Sequence, residues 1–128
     1  MMKTTLSAIV CVLLSGCGKY DEPEQSEFDR LLEIAQAYGK ENHLSVLRTD
    51  PPHVEVISQK KMDAKEPHDS RQRLGCCNFD AKTIFVLSRK DKEVLYHEYG
   101  HWFFGRYEDP KEKEADAFAE YAIKEMKR

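Results

Sequence analysis

His97, Glu98 and His101 stand in the run His97-Glu98-Tyr99-Gly100-His101, and their types and spacing are those of a metal site with a base beside it. On an α-helix, residues four apart lie about 40° apart around the axis and one turn along it, so both imidazoles can reach a single cation. Glu98 falls about 100° round from His97, an offset that suits a carboxylate taking a proton from metal-activated water better than it suits a third ligand. Five residues are few enough to arise by chance, so the meaning of the run rests on what its neighbours supply.

Two helices must position it. Asp91 can cap a helix starting at Lys92, Val94, Leu95, Trp102 and Phe103 can bury its other faces against a sheet, and Gly105 is a stop just past Phe104. Asp109-Pro110 then reads as the start of the next helix, with Asp as N-cap and Pro at the first helical position. Glu112 and Asp116, four apart, share a face of it, and Ala115 and Ala119 beside them permit close approach to the first helix. Zinc held by two histidines lacks a third protein ligand, and a carboxylate from a neighbouring helix can supply it. Glu112 fits that place, and Asp116 can accept the second N–H of a ligand histidine. Against this, Glu112 could serve a capping box with Asp109, and Glu114 is a rival ligand in the same turn.

His97-Glu98-x-x-His101 followed by Glu112-x-x-x-Asp116 resembles the arrangement of the gluzincin zinc peptidases. The run EKEADAFA (112–119) is similar to the glutamate helix of the CAAX-processing zinc proteases and their bacterial relatives, and of small soluble gluzincin domains. The resemblance covers roughly residues 82–120. It implies Zn2+ as cofactor, His97, His101 and Glu112 as ligands, Glu98 as general base, Asp116 as the partner of a ligand histidine, and a peptide or protein as substrate. No hydrophobic span follows the first residues, so the membrane chamber and prenylated substrates of the CAAX-type enzymes are not implied. Only ten residues separate His101 from Glu112, so the connection must be tight. A donor for the developing oxyanion is still needed, and Tyr107, Arg106, Tyr121 and His68 are all open.

The chain begins with Lys3, an apolar run from Leu6 to Leu14, and then Leu14-Ser15-Gly16-Cys17. The apolar run is far short of the roughly 20 residues that cross a bilayer. The segment resembles a bacterial lipoprotein signal, which implies cleavage after residue 16 and lipidation of Cys17, palmitate included; a plain secretory signal is the other reading. Residues 17–25 then form a lipidated tether, whose last eight residues reach at most about 28 Å. The domain, residues 26–128, is expected at the extracytoplasmic or periplasmic face of a bacterial cell envelope. A formal net charge of −3 with mixed signs gives no reason to expect nucleic acid.

Within the domain, Ser26 reads as the N-cap of a helix with Phe28, Leu31, Leu32, Ala35 and Tyr38 on its core face and Gly39 as its stop. His53–Ser58 and Thr83–Leu87 read as paired strands, the second offering an edge to an extended peptide. Residues 59–75 are polar and read as a long exposed loop. His53 and His68 read as surface residues, and the adjacent Cys76 and Cys77 as buried thiols, a strained disulfide or partners for another chain. The whole is a small α+β domain, a minimal zincin-like fold of N-terminal helix, short sheet, active-site helix and C-terminal helix carrying the third ligand. The expected function is a monomeric, lipid-anchored zinc metalloendopeptidase. The alternatives are a zinc-binding or scaffold envelope lipoprotein without turnover and a structural lipoprotein with a fortuitous motif.

Overall fold

The computed structural model describes residues 22–65 and 74–128; the signal, Cys17, most of the tether and His68 lie outside them. Among the described residues the fold is α+β, with four helices and a three-stranded mixed sheet. In chain order these are α1 (Glu22–Asn42), β1 (His53–Val56), α2 (Gln59–Lys65), β2 (Gly75–Asn78), β3 (Thr83–Val86), α3 (Lys92–Phe104) and α4 (Glu112–Met126). Among the described residues no helix is long and apolar enough to cross a membrane.

The centre is α3. Nine of its thirteen residues are buried, on every side, which is the signature of a helix enclosed by other elements rather than laid on them. One side meets the sheet through Ile84 and Val86 of β3 and Val54 of β1. The other sides meet α1 and α4, where Phe28 lies 6.0 Å from Tyr99 and 5.9 Å from Phe103, and Phe118 lies 5.7 Å from both Phe103 and Phe104. Phe103 is therefore packed among the aromatic rings of α1 and α4. Asp91 does cap α3, its carboxylate accepting from the Val94 N–H at 3.3 Å, and Gly105 ends it.

Four sequence expectations are corrected. The first helix starts at Glu22, one turn before Ser26, and runs through Gly39 to Asn42, turning only at His43 in the left-handed region (φ 58°). The stretch 59–75 is not one loop: residues 59–65 form α2, held by the fully buried Met62 and by the Ser58 hydroxyl accepting from the Lys61 N–H, and Gly75 opens β2. β3 pairs parallel with β1 and antiparallel with β2, so it is the central strand and offers no edge; among the described residues β2 is an edge instead. Finally, Asp109 and Pro110 precede α4, which begins at Glu112 after Lys111 in the left-handed region (φ 61°).

Two buried phenols tie α1 to the other helices: Tyr38 donates to Glu114 Oε2 (3.2 Å) and Tyr96 to Glu27 Oε2 (2.7 Å). Burial and then the Glu114 carboxylate raise the Tyr38 pKa to about 12, and burial and Glu27 push Tyr96 up as well. Both phenols hold their protons more tightly folded than unfolded, so their contribution is whole below about pH 10 and lost as pH rises beyond it. The urea midpoint should therefore stay level up to about pH 10 and fall above it, and Tyr38→Phe should flatten part of that fall. A midpoint level well past the tyrosinate absorbance transition would contradict this.

Candidate metal centre

His97 and His101 project from the middle of α3 towards the first turn of α4. Their Nε2 atoms are 3.0 Å apart. Glu112 Oε1 is 3.2 Å from His97 Nε2 and Glu112 Oε2 is 3.3 Å from His101 Nε2. The outer nitrogens are both taken: His97 Nδ1 faces Asp116 Oδ1 at 2.7 Å, and His101 Nδ1 faces the Pro110 carbonyl oxygen at 2.7 Å. A carbonyl oxygen only accepts, and so does a carboxylate, so each Nδ1 carries a proton, and a neutral ring then turns a lone pair inward on Nε2.

With both rings neutral, three acceptor groups converge, an arrangement that costs free energy until something cationic lies between them. His101 is poorly suited to provide that charge itself. Burial, the largest influence, and the neighbouring His97 push its pKa down, and the Pro110 carbonyl and Glu112 only partly restore it. Donors about 2.0–2.1 Å from a tetrahedral zinc ion stand roughly 3.3 Å apart; the two Nε2 atoms stand 3.0 Å apart, and each has a different oxygen of Glu112 at 3.2 or 3.3 Å. His97, His101 and Glu112 could therefore hold a metal ion, with room for a fourth ligand because Glu112 is exposed to solvent.

The helix–helix approach sets these distances. A Cβ placed on Gly100 would lie 2.7 Å from the Cα of Ala115, so glycine is required there for space and the two backbones touch. The rival ligand Glu114 is turned to α1, where it accepts from Tyr38. The start of α4 differs from expectation for a chemical reason. Keeping Pro110 outside the helix frees its carbonyl for His101, and Glu112 becomes the first helical residue, which removes the capping-box reading with Asp109.

Glu98 is buried, 6% exposed, on the side of α3 facing β2. Cys77 lies on the same side; burial and then the Glu98 carboxylate push its thiol above the ordinary range. Cys76 and Cys77 form no disulfide, and as neighbours on a strand their side chains leave opposite faces of the sheet. Of the oxyanion candidates, Tyr121 packs 5.3 Å from Tyr38, the exposed Tyr107 accepts from the Asp80 N–H, and the Arg106 backbone exchanges hydrogen bonds with Asp109. His53 stands at the start of β1.

Two positioning residues escaped the sequence reading. Pro110 acts through its carbonyl, which no side-chain pattern encodes. Arg48 donates to the carbonyls of Trp102 (2.9 Å) and Gly105 (2.8 Å) and stacks over Phe79, fixing the end of α3 where the connection to Glu112 begins. A lone arginine between two predicted elements gives no signal of this. No family model, curated protein or solved structure matches the chain.

Asp116→Ala should weaken zinc binding about 10- to 100-fold by freeing the His97 ring, measured by competition with a chromophoric chelator. Gly100→Ala should weaken it further and lower the melting temperature, because its neighbour is backbone that can yield only by moving α4; overpacking of this kind costs about 1–3 kcal/mol. Unchanged zinc affinity in Gly100→Ala would show that the helix spacing does not set the donor geometry.

Proposed function

We propose that the chain is a gluzincin-like zinc metalloendopeptidase, held at the extracytoplasmic face of a bacterial membrane by lipid on Cys17. The observation that carries the reading is the convergence of one ligand atom each from His97, His101 and Glu112 within 4.8 Å of one another, with the Glu98 carboxylate next to His97 in sequence. Zinc, when bound, supplies a Lewis acid that acidifies water towards neutrality and polarises a carbonyl. Glu98 takes the proton from the attacking water and returns it to the departing amine. Asp116 and Pro110 keep both rings in the tautomer that presents Nε2, so neither must reorient during turnover.

The sheet supports a peptide as substrate. β2 is an edge strand beside Glu98, and an extended peptide pairing with it would pass the buried carboxylate. The anchor reading rests on the sequence Leu14-Ser15-Gly16-Cys17 alone.

Glu98→Gln tests the chemistry. Zinc content should stay at one per chain while hydrolysis falls about 100- to 10,000-fold, the usual worth of a general base. Peptide termini in the cell envelope, compared by mass spectrometry between wild type and the variant, should include a set that the variant lacks. Identical termini from two zinc-loaded proteins would favour a zinc-binding scaffold without turnover.

A further inference from the structure

β2 opens on a glycine, which is a poor strand former because it adds backbone entropy and packs no side chain. Its backbone does not require glycine: Gly75 has no left-handed φ and pairs in register with Val86 of β3. Space is what requires it. A Cβ at residue 75 would lie 2.8 Å from Glu98 Oε2, 3.0 Å from Glu98 Cγ and 2.9 Å from a methyl carbon of Val94. Two of these three atoms belong to Glu98, so its side chain lies across the strand and its carboxylate rests where any other residue would put a side chain.

We infer that Gly75 is a positioning residue for Glu98, its missing side chain forming the seat that holds the carboxylate against β2. The inference rests on the metallopeptidase reading for its kinetic consequence, and on contact geometry alone for its structural one. A methyl group at residue 75 must displace either the Glu98 carboxylate or β2. Displacement of the carboxylate leaves His97, His101 and Glu112 in place, because their supports are Asp116, Pro110 and the α3–α4 contact, none of which touches residue 75. Metal binding and proton transfer therefore separate at this position.

The test is a double-mutant cycle between Gly75→Ala and Glu98→Gln, with hydrolysis and zinc affinity measured for each protein. Gly75→Ala alone should lose roughly 100-fold in rate, the typical cost of misplacing a reacting group by about 1 Å. In the Glu98→Gln background the same change should cost less than about two-fold, because the group it acts through is gone. Zinc affinity should hold throughout. A readout independent of turnover is the pH midpoint of the visible spectrum of the cobalt-loaded protein, which Gly75→Ala should move in the direction that Glu98→Gln moves it.

If Gly75→Ala fails to fold, Gly75→Ala/Val94→Ala removes the second contact and leaves the Glu98 one, and is read in its place. Equal losses in both backgrounds, a lost zinc affinity, an unmoved cobalt midpoint, or failure of both variants to fold would each overturn the inference. Wild-type protein that binds cobalt but cleaves nothing would withdraw the peptidase reading, with the cobalt midpoint still deciding the role of Gly75. Wild-type protein that takes up no cobalt would overturn both.

Discussion

The contact between Gly100 and Ala115 is the constraint on which the rest depends. Glu112 is carried on the helix that this contact brings in, and its oxygens reach both Nε2 atoms only because nothing larger than a hydrogen stands between the backbones. Around the α3 axis, Gly100, His97, His101 and Glu98 follow one another within an arc of about 160°. One end of that arc rests on α4 and the other on β2. The candidate metal donors lie between two close approaches, each made by a glycine, Gly100 on the helix and Gly75 on the strand.

Electrostatics then decides what the gap is for. Paired imidazoles in a protein interior commonly share a proton or point a donor at an acceptor, but here the outer nitrogens are committed to a carboxylate and a carbonyl. Burial works against a charged His101. The acid that could have competed for the site, Glu114, is drawn to the Tyr38 hydroxyl, which leaves Glu112 as the carboxylate facing the two Nε2 atoms. The chain has thus separated adjacent acids of one helix turn by giving each its own partner.

Much of this was legible in the sequence because the signals were local. Asp91 and Gly105 bound α3 as caps do, the four-residue spacings place His97 with His101 and Glu112 with Asp116, and Ala115 marks a close helix contact. What was not legible depended on partners distant along the chain. The α2 segment buries only Met62, so its composition reads as loop. The Gly-Cys-Cys-Asn run of β2 lacks strand formers and is a strand because β3 offers it a ladder. Asp109-Pro110 is a sound local start signal for α4, overridden because His101 needs the Pro110 carbonyl and Lys111 can take a left-handed turn to deliver it.

The same override explains how so short a connection serves so exacting a site. Between His101 and Glu112, the stretch 106–110 cannot hold its shape by apolar burial, since it is exposed. The connection is fixed by polar ties instead: the Gly105 N–H to the His101 carbonyl, reciprocal backbone bonds between Arg106 and Asp109, and Lys111 to Asp109 at 2.9 Å. Arg48 reaches in from before the sheet to hold the Trp102 and Gly105 carbonyls, where the helix dipole favours a cation. Hydrogen bonds are directional where burial is not, so a small domain with one core can still fix donor groups to within a few tenths of an ångström. The histidine rings become part of this scaffold, and a bound cation would strengthen the structure that holds it.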